Sequence, residues 1–234
     1  MSEIAENWQA LRLRIARAEA MADRAPGSVR LLAVSKTKPA AAVRAAYAAG
    51  QRAFGENYVQ EGLGKIAELA DLAGPELEWH FIGPLQSNKT RDVAEHFHWV
   101  HSVEREKIAR RLAEQRPSAL PPLQLCLQVN IDDEDSKAGC SLAELPALVT
   151  TVLALPRLRL RGLMCIPRPG NGAAFTALAK TRQDLLASIP GLSPETFDTL
   201  SMGMSDDLEV AVAAGSTMVR IGTALFGARD YPAD

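Results

Sequence analysis

The feature that most constrains this chain is a pattern repeated eight times: a short apolar run, then a stretch with apolar residues at steps of three and four. Short unbroken apolar runs suit strands buried on both faces, and the periodic stretches suit amphipathic helices. The first such run is Leu31 to Val34, and the strand-like segments that follow are Arg52 to Asn57, Trp79 to Pro84, Trp99 to Val103, Leu123 to Asn130, Leu160 to Ile166, Thr199 to Met204 and Met218 to Thr223. After the first run, Pro39 opens an Ala-rich helix that Gly50 closes. Later helices are marked by Val59, Leu63, Ile66 and Leu69, by Val93 and Phe97, by Ile108 and Leu112, and by the segment from Phe175 to Ile189. Ser141-x-x-Glu144 is a capping box ahead of Leu145, Leu148, Val149 and Val152. The helix after the seventh run is expected to start at Ser205, with Asp206, Asp207 and Glu209 in its first turn, where the dipole favours them. One extra amphipathic helix, about residues 2–24, precedes the first strand and carries Ile4, Trp8, Leu11, Ile15 and Ala18 on one face.

Eight alternations over about 200 residues are the arithmetic of a single α/β domain, a (β/α)8 TIM barrel spanning residues 1–234. A doubly wound open sheet shares the alternation, but no G-x-G-x-x-G follows the first strand and no Walker A sequence occurs. With 47% apolar and 23% charged residues the chain is not disordered. Lys plus Arg is 26 against 28 Asp plus Glu, so the basic excess of a nucleic-acid binder is missing. No apolar stretch approaches the roughly 18 residues that span a bilayer, and the N-terminus has no basic region ahead of an apolar one. Three cysteines, Cys126, Cys140 and Cys165, form neither CxxC nor a zinc spacing, so a reduced, cytoplasmic protein is expected.

In such a barrel the site forms at the C-terminal ends of the strands. Those ends offer Lys36, Glu56 and Asn57, Gly83, Ser102, Asn130, Cys165, Met204 and Ser205, and Gly222 and Thr223. Lys36 follows a strand of Leu and Val, where partial desolvation and the neighbouring Lys38 would lower its pKa and make the amine a Schiff-base nucleophile. Taken alone, a lysine there more often caps the strand and faces solvent. Arg220-Ile-Gly-Thr223 and Ser201-Met-Gly-Met-Ser205 end strands eight and seven, where barrels commonly bind phosphate. Gly222 lets the backbone approach, and Thr223 offers a hydroxyl. A Schiff-base lysine and a phosphate cradle on one rim suit a phosphorylated aldehyde: pyridoxal phosphate or an aldolase substrate.

Other features have plain readings. His96, His98 and His101 split between two faces, so surface histidines and no metal site are expected. Asp132 to Asp135 lacks the EF-hand spacing and reads as a solvated loop tip. Gly203-Met-Ser205 is not a nucleophile elbow, because Asp207 stands where the second glycine should be. Met202, Met204 and Met218 read as barrel core, with room for one to pack on a ligand ring.

Five stretches resemble the pyridoxal phosphate homeostasis protein family, also called the YggS/PROSC family. They are Leu32-Ala-Val-Ser-Lys36, Phe54-Gly-Glu-Asn-Tyr-Val-Gln-Glu61, His80-Phe-Ile-Gly-Pro-Leu-Gln-Ser-Asn-Lys89, Leu200-Ser-Met-Gly-Met-Ser-Asp-Asp207 and Arg220-Ile-Gly-Thr-Ala-Leu-Phe-Gly-Ala-Arg229. The resemblance runs from about residue 5 to residue 231. It implies a barrel like the N-terminal domain of alanine racemase, with Lys36 joined covalently to pyridoxal 5′-phosphate as a Schiff base. It further implies that Asn57 lies near the ring, that Ser201, Gly222 and Thr223 hold the phosphate, and that Arg220 faces the pyridine nitrogen. An arginine there discourages ring protonation, so the ring is a weak electron sink. By the same resemblance the protein buffers and delivers the cofactor without a reaction of its own. Apo-enzymes that use pyridoxal phosphate are candidate recipients, and a monomer is expected.

The alternative is a pyridoxal phosphate-dependent amino-acid racemase of weak activity. It needs a second base, which alanine racemases take from a further domain, and Tyr47, Tyr58 and Tyr231 do not obviously supply one. A phosphosugar aldolase would leave Arg220 unexplained and would need Glu56 as its acid–base carboxylate.

Overall fold

The eight apolar runs become eight parallel strands that close on themselves. The computed structural model describes residues 2–228 apart from 73, 75, 135 and 136. Asp135 of the acidic run, Arg229 at the end of the strand-eight motif, and Tyr231 therefore lie outside the described residues. Strands β1 (Arg30–Val34), β2 (Ala53–Glu56), β3 (Glu78–Phe81), β4 (Trp99–Val103), β5 (Leu123–Gln128), β6 (Leu158–Met164), β7 (Thr199–Ser201) and β8 (Met218–Ile221) neighbour one another in chain order. β8 returns to β1 with Arg30 opposite Met218 and Ala33 opposite Ile221, which closes the barrel. The crossovers are α2 (Ala40–Ala48), α3 (Val59–Glu68), α4 (Thr90–His96), α5 (Glu106–Gln115), α6 (Leu145–Leu153), α7 (Ala173–Ser188) and α8 (Leu208–Ala213). Helix α1 (Glu3–Met21) precedes β1, and the four-residue α9 (Thr223–Phe226) follows β8.

Alternate strand residues point outward to the helices and inward to the barrel. The outward set builds the main core: Phe54 packs on Trp79 with ring centroids 5.8 Å apart, and Phe81 meets Phe97 edge-on at 5.6 Å. The inward set is smaller and mixed. Leu32, Ala53 and Met218 form one apolar cluster with Ile82, and Trp99, Cys126 and Met164 form another. Fully buried His80 and His101 join them, with the His80 ring stacked on Trp99 at 5.2 Å. Helix α1 is tied to the start of β1 through Glu19, whose buried carboxylate accepts the amides of Gly27 and Val29 at 3.0 and 2.7 Å.

The expected elements all form, with four local differences. The seventh strand stops at Ser201, and the helix after it begins at Leu208 rather than Ser205. The cause is Asp207, whose Oδ1 accepts the Met204 amide at 2.6 Å and folds Ser205 to Asp207 into a turn. His101 is not a surface residue; it faces the barrel interior, where hydrogen bonds satisfy both ring nitrogens. Met204 is 41% exposed at the rim, whereas Met202 and Met218 are buried. The capping box is present, the Ser141 amide donating to Glu144 and the Glu144 amide to Ser141 Oγ, but the helix begins only at Leu145. Among the described residues no helix is long and apolar enough to cross a membrane, and no His/Cys/Asp/Glu group could hold a metal ion. The three cysteines are free and buried, and burial pushes each thiol up to about 12.

Candidate functional site

A cavity of about 500 Å³ opens at the C-terminal mouth of the barrel. Its wall takes Val34 and Lys36 from the end of β1, Asn57 from β2, Ile82 from β3, and Arg220, Gly222, Thr223 and Ala224 from β8 and α9. Ile166, Met204, Ser205 and Asp206 complete it from the segments after β6 and β7. That size and mixed lining suit a small molecule held by a few polar groups.

Lys36 owes its place to its neighbours. Lys65, on α3, is almost fully buried and donates to the Ser35 carbonyl at 2.6 Å, to Glu56 at 2.7 Å and to Glu61 at 2.7 Å. The Ser35 hydroxyl donates to Glu56 at 2.6 Å, and the Thr37 amide donates to Glu61 at 2.6 Å. Residues on both sides of Lys36 are thus fastened to one buried charge cluster, and Thr37 is held at a φ of +63°, an uncommon value for a threonine. Burial pushes the Glu56 carboxyl upward, against the pull of Lys65 and Ser35. Glu56 is therefore a buttress on the helix side of the sheet, not a cavity carboxylate, and the acid–base role that an aldolase would ask of it has no geometric support.

Arg220 is 5% exposed, yet it lines the cavity. Its Nη1 donates to the Ser201 carbonyl at 2.5 Å and to Ser201 Oγ at 3.0 Å, and its Nη2 to the Cys165 carbonyl at 2.9 Å. No carboxylate pairs with it among the described residues. Burial lowers its pKa from the ordinary value, a cation held without an ion partner. Asn57 presents a buried Oδ1 with no hydrogen-bond partner among the described residues. Its own backbone is approached so closely by Gly83 that a Cβ there would lie 2.1 Å from the Asn57 carbonyl oxygen, which only glycine allows. A Cβ at Gly222 would sit 3.2 Å from the Val34 carbonyl, so glycine keeps that corner of the wall thin.

Of the six residues expected at the site, the cavity brings together Lys36, Asn57, Arg220, Gly222 and Thr223. It does not include Ser201, which is fully buried beneath Arg220 with its hydroxyl engaged by His101. The serine on the wall is Ser205, four residues on, because β7 ends at Ser201 and the chain then climbs to the rim. Asp206 was not singled out as a site residue and is an exposed part of the wall. Tyr47 and Tyr58 do not line the cavity: Tyr47 packs under Arg52 at 4.1 Å, and Tyr58 is 58% exposed.

Known proteins resemble this chain in sequence and in fold. The sequence profile of the alanine racemase N-terminal domain matches residues 4–230. The pyridoxal phosphate homeostasis protein of Pseudomonas aeruginosa is 63% identical over 235 aligned residues, covering all of this chain and 99% of that protein. The structure of PipY from Synechococcus elongatus with pyridoxal phosphate bound superposes with a TM-score of 0.82 at 42% identity, over 96% of this chain and 100% of that one. Alanine racemase from Corynebacterium glutamicum matches at a TM-score of 0.66 and 16% identity, over 99% of this chain and 62% of the racemase, a likeness of fold alone. This chain belongs to the alanine racemase N-terminal domain family and, within it, to the pyridoxal phosphate homeostasis proteins.

Proposed function

We propose that this chain binds pyridoxal 5′-phosphate at the C-terminal mouth of its barrel and buffers and delivers it, as part of intracellular vitamin B6 homeostasis, without a reaction of its own. The observation that carries the reading is the convergence of Lys36, Asn57, Arg220, Gly222 and Thr223 on one cavity from three strand ends far apart in the chain. The residues fit the group. The orphaned Asn57 Oδ1 offers an acceptor beside the ring, and the thin wall at Gly222 leaves room for a bulky anion. Thr223, Ser205 and the first amides of α9, which have no acceptor within that turn, supply donors for the phosphate.

When bound, the cofactor supplies an aldehyde that condenses with a lysine amine and a ring that withdraws electrons. Lys36 is the amine, held at the rim by the Lys65 cluster behind it. Arg220 keeps a positive charge at the ring nitrogen, which opposes its protonation and weakens the electron sink. That electronic setting suits holding the cofactor or a slow racemisation better than transamination. A racemase working on both ring faces needs a second base, and neither Tyr47 nor Tyr58 stands at the cavity. In this reading the chain is a cytoplasmic monomer, and the recipients are apo-enzymes that require the cofactor.

The test is an absorption spectrum of the purified protein loaded with pyridoxal phosphate, before and after borohydride, with peptide mass mapping. A visible band that reduction fixes onto the Lys36 peptide is the expected result. A protein that the cofactor cannot turn yellow overturns the reading, and racemisation of added amino acids would overturn its non-catalytic half.

A further inference from the structure

Ser201 belongs to a file of polar side chains that runs through the barrel interior from one mouth to the other. At the N-terminal mouth Arg30 pairs with Glu78. Glu78 Oε2 lies 3.3 Å from His80 Nε2, and His80 Nδ1 lies 2.9 Å from His101 Nε2. His101 Nδ1 lies 2.8 Å from Ser201 Oγ, which accepts from Arg220 Nη1 at 3.0 Å. His80, His101 and Ser201 are all fully buried, so no water competes for these bonds.

One placement of protons satisfies the whole file. Arginine only donates, so Ser201 Oγ accepts from Arg220 and must send its single proton to His101 Nδ1. His101 then carries its proton on Nε2 and donates to His80 Nδ1, and His80 carries its own on Nε2 and donates to the Glu78 carboxylate. The reverse order fails at both ends, because a bare His80 nitrogen would face the carboxylate and the serine proton would lose its acceptor. Burial keeps both imidazoles neutral, His80 at about 4 and His101 well below its ordinary value.

We propose that His101 is a positioning residue for the cavity arginine: through the Ser201 hydroxyl it fixes the Arg220 guanidinium at the cavity floor, with its tautomer set by Glu78 through His80. Without the His101 acceptor the Ser201 hydroxyl is free to rotate, and its hydrogen competes for the side of Oγ that receives Arg220. The effect on bound cofactor rests on the pyridoxal phosphate reading, whereas the ordering of Arg220 does not.

The experiment therefore has two readouts on the full chain. In the unliganded protein, ¹⁵N spectra should show His80 and His101 as neutral Nε2–H tautomers and Arg220 with resolved Nη protons. Ser201→Ala and His101→Leu should shift and broaden the Nη1 signals, the carbonyls of Ser201 and Cys165 still holding the guanidinium, while His101→Gln, whose amide can accept from Ser201 and donate to His80, should restore them. In the loaded protein, the pH midpoint of the visible band should move by about half a unit or more in Ser201→Ala and His101→Leu, as expected when a neighbouring charge shifts, and return in His101→Gln. An Nδ1–H or doubly protonated His101 in the unliganded protein overturns the proposal. So does a Ser201→Ala protein, the mildest variant and the one least able to disturb folding, with both readouts unchanged. If the unliganded readout behaves as stated and no cofactor binds, the pyridoxal phosphate reading falls and the positioning role stands.

Discussion

Arg30 and Arg161 at the N-terminal mouth of this barrel are held differently from Arg220 at the C-terminal mouth. At the N-terminal mouth Arg30 meets Glu78, and Arg161 forks onto Asp198 while reaching Gln124 at 3.0 Å. At the C-terminal mouth Arg220 is more deeply buried than either and donates only to two carbonyls and a hydroxyl. Burial on carbonyls alone is not peculiar to the C-terminal end, since Arg116 at the other end is held by the carbonyls of Ala94, Phe97 and Pro121; what sets Arg220 apart is that it also lines the cavity. On the proposed function the two ends serve stability and ligand binding respectively, and substitutions at each end should separate the two.

The largest expected effect is at the open mouth. Lys36→Ala should abolish borohydride-fixed cofactor altogether while leaving circular dichroism and the melting temperature near the parent's, because Lys36 lines a cavity rather than the core. Next comes the buttress behind it. Lys65→Met keeps the volume but strands Glu56, which is fully buried, so about 3 to 5 kcal/mol of stability should be lost in urea unfolding. Because Ser35 and Thr37 are released together, cofactor affinity should fall as well. A Lys65→Met protein that is destabilised but binds cofactor normally would show that the cluster serves the fold alone.

The file between the mouths sets the acid limb of stability. His80 titrates at about 4 in the folded protein against 6.5 unfolded, and His101 is displaced the same way. A depressed histidine is protonated first in the unfolded chain, so folding weakens as pH falls from 6.5. The His80 share is about 3 kcal/mol by pH 4. Burial alone would raise Glu78, but His80 and Arg30 outweigh it and hold the carboxyl at about 2, so its contribution is lost below about 4.5 and steepens the decline. Glu56, raised by burial, works in the opposite direction. Urea midpoints measured from pH 7 to pH 4 should fall throughout, and a flat profile would mean that the histidines already carry charge in the folded state.

These features differ in how far the sequence exposes them. The strands are legible because a parallel strand covered on both faces reads as an unbroken apolar run. Lys36, Asn57, Gly222 and Thr223 are legible because each stands where such a run ends. The choice between Ser201 and Ser205 is not, since both stand near the end of the Thr199 to Met204 segment and the sequence does not mark where the regular strand gives way at Ser201 to the turn that Asp207 holds. His101 looks like one of three scattered histidines until its partners arrive, from 21 residues before it and 100 after. The Lys65–Glu56 pair is equally hidden: a lysine on a helix reads as solvated unless a carboxylate on the neighbouring strand is aimed at it.

The smallest expected effect tests the comparison most sharply. Arg161→Met removes the fork onto Asp198 and the bond to Gln124 but keeps an unbranched chain over Trp99, whose ring lies 5.1 Å from the Arg161 guanidinium. A partly exposed pair of this kind contributes about 1 kcal/mol, so the melting temperature should drop by only a few degrees. If the mouths are independent, cofactor affinity and the visible band should not move. There is one route by which they could: Trp99 stacks on His80, and His80 is a link in the file that ends at Arg220. An Arg161→Met protein that loses about 1 kcal/mol and also shifts the band would mean that the closed end of the barrel reports to the open one through that ring, and the division of labour between the two mouths would have to be given up.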